Sequence, residues 1–133
     1  MFLFASGFAL LLGAAPGDAY VADGETLVIG QTVVRIEGID APSAGTPAGD
    51  AAREEMRAIV AEHVVMCRSS GDRDGALVLA ACSANGADLG AALVARGHAL
   101  DCAATSAGRY RALEPAGARE RLPQSPDCVR AGH

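Results

Sequence analysis

Residues 20–39 read YVADGETLVIGQTVVRIEGI, and this stretch decides the fold. Thr26, Val28 and Ile29 precede Gly30-Gln31, and Thr32, Val33, Val34 and Ile36 follow it. β-branched runs on both sides of a glycine-led dipeptide spell a hairpin, and Gly at the first central position suits a type II′ turn. Pairing Ile29 with Thr32 then sets Thr26 opposite Arg35. Asp23-Gly24 reads as another turn, which separates a short first strand from this hairpin.

Downstream of residues 43–49, a Ser-, Gly- and Pro-rich loop, the period changes to 3.6. Ala52, Met56, Ile59, Val60 and His63 share one face and Arg53, Glu54, Arg57 and Glu62 the other, which predicts an amphipathic helix of about four turns. A second hairpin follows. With Asp74-Gly75 as its central pair, Arg73 faces Ala76 and, further out, Cys67 faces Cys82. Asn85-Gly86 marks a turn, Asp88 caps a second helix carrying Leu89, Ala92, Leu93 and Arg96, and Gly97 stops it. A third helical stretch from Ser106 to Leu122 is broken at Pro115, which removes a helical hydrogen bond, so a kink or two short helices are predicted with Glu114 before the break. The tail beyond Pro123 reads as irregular. Three strands, a helix, two strands and further helices predict a mainly β fold with α, a five-stranded Greek-key OB barrel with about three helices.

Composition bounds the function. The chain has 133 residues, enough for one domain. With 50% hydrophobic and 20% charged residues it is no disordered chain. Aromatics are only 4%, so the core is aliphatic and stacking on single-stranded bases has little to work with. All 11 basic residues are Arg, and the net charge of −5 repels nucleic acid at long range, so phosphate must be bound by a local patch. Arg109, Arg111, Arg119, Arg121 and Arg130 give the C-terminal part a basic bias, but the acids between them read as a solvated face.

Residues 2–15, FLFASGFALLLGAA, are uncharged and too short to cross a membrane. They fit a secretory signal, with Gly17 and Ala19 as the small residues before a cut after Ala19. The reading is therefore residues 1–19 as signal peptide and 20–133 as one exported domain, periplasmic or secreted, monomeric and without a stable membrane anchor. Cys67, Cys82, Cys102 and Cys128 form no C-x-x-C, and His63, His98 and His133 are scattered, so zinc has no spacing support. In an oxidising compartment four Cys allow three disulfide pairings. The hairpin register selects Cys67–Cys82 and leaves Cys102–Cys128; in a reducing compartment the alternative is four buried thiols.

Residues 21–42, VADGETLVIGQTVVRIEGIDAP, resemble the signature of staphylococcal-nuclease-like proteins, the thermonuclease family, whose text runs Val-x-Asp-Gly-Asp-Thr and then Arg-Leu-x-Gly-Ile-Asp-Ala-Pro-Glu. The resemblance continues through DRDG at 72–75, ADLGAALVARGHAL at 87–100, GRY at 108–110 and Glu114, and it extends to exported members with two cysteine pairs. It implies an OB barrel and calcium-dependent hydrolysis of nucleic-acid phosphodiesters, with nucleic acid or nucleotide phosphate as ligand. It places Arg35 at the first phosphate-binding arginine, Asp40 and the Ala41 carbonyl at metal-ligand positions, and Glu25 where the first metal ligand is Asp. Two catalytic positions are substituted. Ser43 stands at the general-base Glu and accepts no proton near neutral pH, and Ala76, or Leu77 in a shifted alignment, stands at the second Arg. Asp50 and Glu54 are the nearest substitute carboxylates, but read as a helix N-terminus and a polar face. The implied activity is therefore weak or lost. The alternatives are a non-catalytic module for an anionic ligand, nucleic acid or a protein, and a structural ion pair between Arg35 and Asp40.

Overall fold

The computed structural model describes residues 10–69, 71, 73, 74 and 76–130. The strands are β1 (Leu10–Ala14), β2 (Tyr20–Asp23), β3 (Thr26–Ile29), β4 (Thr32–Ile36), β5 (Ile39–Asp40), β6 (Val65–Ser69), β7 (Arg73–Asp74), β8 (Leu77–Ala84), β9 (Ala87–Asp88) and β10 (Leu100–Asp101). The helices are α1 (Pro47–Ala61), α2 (Leu89–Ala95), α3 (Ala103–Ser106), α4 (Ala118–Arg121) and α5 (Pro126–Arg130), with a 3-10 turn at Arg111–Leu113. The fold is mixed α+β: one curled sheet in the order β1-β6-β8-β4-β3-β2, and a small β10-β5 ladder beside it.

The decisive hairpin has the predicted register: Ile29 pairs with Thr32 and Thr26 with Arg35, and Gly30 has φ +63°. The preceding turn lies one residue further on than expected. Asp23 pairs with Thr26, so Gly24-Glu25 rather than Asp23-Gly24 forms the connection, and the β2–β3 register slips between Val21 and Asp23. A side chain at Gly24 has no room, because a Cβ there would stand 2.8 Å from the Ala52 Cβ and 3.1 Å from the Ala41 Cβ. The turn thus lies directly on α1 and on the cleft residue Ala41.

Beyond β4 the sheet is joined by a parallel pairing, Val34 to Val78 and Ile36 to Ala80, continued by the Glu37 N–H to the Ala80 carbonyl at 2.9 Å. β6 and β8 bring Cys67 opposite Cys82, and the two are bonded. The tip of this hairpin differs from expectation. Arg73 pairs with Val78 and Asp74 with Leu77, two residues out of phase with the Cys67–Cys82 register, so Arg73 does not face Ala76; Gly75 lies outside the described residues. The Asn85-Gly86 turn is as predicted, both residues having positive φ.

Thr46 caps α1, its hydroxyl accepting the Gly49 N–H at 3.0 Å, and Ala52, Met56 and Val60 face the core. His63 falls after the helix. Asp88 caps α2 through the Ala91 N–H, and of the predicted stripe Leu89 and Leu93 are buried, joined by Gly90 and Val94, while Ala92 is half-buried and Arg96 is exposed. The C-terminal part breaks more often than one proline requires: α3 begins at Ala103, the 3-10 turn ends at Glu114, extended before Pro115, and the tail is not wholly irregular because it holds α5. Leu27, Ile36, Met56, Leu89 and Leu93 fill an aliphatic core, each contributing about 1.5–3 kcal/mol by burial. Among the described residues no helix is long and apolar enough to cross a membrane.

Candidate functional site

A cleft of about 610 Å³ opens where β4 and β5 meet α3 and the segment at 123–128. Glu25, Arg35, Asp40, Ala41 and Ser43 all line it, so the fold gathers five of the residues singled out in the sequence. Ala76 is apart from them, exposed beside the β7–β8 connection. The β8 residue in the cleft wall is Leu79, the pairing partner of Arg35, and its side chain is apolar.

Glu25 reaches the cleft because it belongs to a turn and not to a strand. Its carbonyl accepts the Ile36 N–H at 2.8 Å, folding the turn onto β4. Its carboxylate then lies 3.8 Å from Arg35 Nε and accepts the Ala41 N–H at 2.9 Å. Burial pushes this carboxyl up to about 7, against the opposing pull of the Ala41 N–H and the Arg35 charge, with the Asp23 and Asp40 charges adding to the rise. Near pH 7 both its protonated and its ionised forms are therefore populated.

Asp40 is buried on β5, and β5 is held by β10: Leu100 pairs with Asp40 and Asp101 with Ile39. Burial also raises the Asp40 pKa, opposed by the Ser125 N–H, which donates to Oδ2 at 2.7 Å, and by the Arg119 charge. β10 is in turn fixed by a polar clip. The Asp101 N–H donates to Glu114 Oε2 at 2.8 Å, and Arg119 binds Glu114 through Nε at 2.9 Å and Nη2 at 2.7 Å. The Asp101 carboxylate accepts from the Ser106 hydroxyl and, at 3.0 Å, from the Tyr110 N–H. Gly38 sits between these parts at φ +89°, where a Cβ would stand 2.8 Å from the Tyr110 ring.

Calcium takes six to eight oxygen ligands. The arrangement offers two carboxylates, each with an oxygen already engaged by a backbone N–H and one of them facing Arg35. Among the described residues no three His, Cys, Asp or Glu side chains gather to hold a metal ion. The donor set as arranged does not fit calcium. What the cleft offers is one arginine for an anion, a carboxyl that titrates near neutrality, and Ser43, a hydroxyl with no basic power.

Asp50 and Glu54 stand elsewhere: Asp50 accepts the Gly45 N–H at 2.8 Å and Glu54 pairs with Arg57 at 2.7 Å. The C-terminal arginines are engaged locally. Arg109 lies over the Tyr110 ring, Arg111 and Arg119 pair with Glu114, and Arg121 donates to the Gly97 carbonyl; the Arg130 side chain lies outside the described residues. Gln124 and Ser125 were missed from sequence. The one signal pointing to them was the Cys102–Cys128 bond, which ties the tail to the residue after Asp101.

No protein-family model matches the chain, and a search of curated proteins finds no match to its sequence.

Proposed function

We propose that this chain is an exported staphylococcal-nuclease-like protein on a five-stranded OB barrel, whose cleft keeps a phosphate-binding residue and has lost most of its hydrolytic power. The observation that carries the reading is the convergence of Glu25, Arg35, Asp40, Ala41 and Ser43 on one cleft, although they come from a turn, two strands and a loop. The two disulfides fit export to an oxidising compartment. Arg35 binds phosphate oxygens at the cleft wall, in competition with Glu25. Hydrolysis then lacks a base at the Ser43 position, while the Glu25 carboxyl is engaged by the Ala41 N–H and Arg35; the loss of a base typically costs about 10²–10⁴ in rate, and that of a second charged stabiliser about 10²–10³. A non-catalytic anion-binding module is the second reading, favoured by the hydrogen bonds that occupy both carboxylates.

The test is cleavage of single-stranded DNA by the purified chain with millimolar calcium. Wild type is expected to be weak or inactive. Glu25→Asp, Ser43→Glu and Leu79→Arg together are expected to raise the rate by about 100-fold or more, single changes far less, because such groups act as a unit. Placing the arginine at Ala76 instead gives a smaller gain, since that residue lies off the cleft. Ordinary enzyme rates in wild type would refute the loss of hydrolysis; a folded triple variant with no gain gives first place to the binding module.

A further inference from the structure

The two ends of the curled sheet are neighbours in the chain. β1 lies at one end of the strand order and β2 at the other, and only residues 15–19 separate them. β1 pairs antiparallel with β6 over five residues, from Leu10 opposite Ser69 to Ala14 opposite Val65. Directly opposed residues share a face of the sheet. The inner pairs include Leu12 with Cys67 and Ala14 with Val65: Leu12 and Ala14 pack against the main core, and Val65 and Cys67 beside them are 0% and 1% exposed. The outer pairs are Leu11 with Arg68 and Gly13 with Met66. Leu11 is exposed, and the Met66 side chain lies over Gly13, its sulfur 3.0 Å from where a Cβ would stand. β6 therefore asks little of the outer face of the strand beside it and specifies the inner face, a leucine and then a small residue two positions on. Its other side is already paired, to β8. A cut after Ala19 takes β1 away, and the β6 backbone groups that met it become a free edge, which is a template for another strand.

We propose that β6 is a strand-accepting edge, filled by Leu10–Ala14 before the cut and open after it to an extended apolar segment of a partner protein, added antiparallel with a leucine opposite Cys67 and a small residue opposite Val65. The proposal rests on the export reading and not on the chemistry of the cleft. The partner's chemistry follows from the strand that already fits. Main-chain hydrogen bonds supply affinity in such an addition, and alternate side chains supply selectivity. Here the inner positions are apolar because they close the core over Val65 and Cys67, while the position facing Arg68 tolerates, and gains from, an acid. A second copy fits less well. Two β6 strands paired antiparallel about Cys67 set Val65 against Ser69 on the inner face, and neither brings a large apolar side chain to cover Cys67.

The experiment takes the exported chain, the full chain and a labelled peptide of residues 10–18, LLLGAAPGD, with binding read by fluorescence anisotropy. The exported chain should bind the peptide saturably and at least about 10-fold more tightly than the full chain, whose edge is occupied. Leu12→Asp in the peptide should weaken binding by about 10-fold or more, because it sets a charge against the core. Leu11→Asp has the same composition and charge but faces Arg68, and it should bind within about 3-fold of the parent or more tightly. A second measurement uses the full chain alone. There Leu12→Asp should release β1 and uncover Cys67, so that a dithiol reduces Cys67–Cys82 at least about 10-fold faster than in Leu11→Asp, since exchange requires access to sulfur. Each measurement covers a failure of the other's chain to fold. Equal weakening by the two peptide substitutions, or equal reduction rates in the two full-chain variants, overturns the strand register. An exported chain that begins at Tyr20 and ignores the peptide overturns the proposal and leaves the export reading intact; if that chain is a dimer, a second copy takes the edge. An exported chain that keeps Leu10–Ala14 overturns the open edge together with the cut.

Discussion

Glu114 carries more of the site than its position in the sequence suggests. It receives hydrogen bonds from Arg119 and from the Asp101 amide, and Asp101 lies on the strand that holds Asp40 in place. Burial pushes its pKa up, but the Arg119 hydrogen bonds, the Asp101 N–H and the charges of Arg119 and Arg111 outweigh this and hold it below the ordinary 4.5. As pH falls the unfolded chain therefore takes up this proton first. The stability Glu114 supplies is complete above about pH 4.5 and is lost as pH drops through the lower folded value. Glu114→Gln should cost about 1.5–3 kcal/mol at pH 7, the usual contribution of hydrogen bonds to a charged group, and the gap to wild type should narrow below pH 4.5. Urea unfolding at several pH values measures it; a gap that stays constant to pH 3 removes the carboxylate's charge from the account. In the sequence Glu114 is legible as the residue before Pro115 and as the end of the family resemblance, and Arg119 only as part of a basic face, so neither reading pairs the two. Their pairing depends on how the 3-10 turn and α4 fold back onto β10, which no local pattern encodes. Glu25 is legible as a cleft residue, but its route there is not, because a one-residue displacement of a turn decides it.

At the scale of elements, the hairpins show what periodicity can and cannot specify. β3–β4 was fully legible, since alternation and a glycine-led turn fix one register. For β6–β8 the cysteines were placed correctly, although the turn deduced from the same register was not. The strands agree along Cys67–Cys82 and lose two residues before β7, so a correct local ladder does not determine the tip. The two disulfides should differ in what they contribute. For separations of 15 and 26 residues, chain entropy gives about 3 and 3.5 kcal/mol. Cys67 and Cys82 also pack in the main core, so replacing both by Ala adds a cavity penalty. Cys67→Ala/Cys82→Ala should therefore lower the melting temperature by more than Cys102→Ala/Cys128→Ala, with both losses about 10 °C or greater. The reverse order would mean that the tail, and not the hairpin, is the more constrained part.

For the whole molecule, export predicts a chain recovered outside the cytoplasm that begins at Tyr20 and has no free thiol. Intact mass and thiol labelling test both, and a product that keeps its first 19 residues or carries reactive thiols contradicts the reading. Such a cut removes β1, which pairs with β6 along Leu10–Ala14, and leaves the β6 edge without that partner. The parallel join of β4 to β8 has a different consequence. It brings together residues about 44 apart in the chain, while each disulfide closes a shorter loop on the C-terminal side of β4. Neither cross-link spans the join, so an oxidised unfolded chain must still close nearly the same long loop as a reduced one. The slow step of refolding is therefore set by topology and not by the redox state of the cysteines. Stopped-flow refolding rates of the oxidised protein and the four-cysteine-to-alanine variant should agree within a few-fold, and the stability that the disulfides confer should appear mainly as slower unfolding.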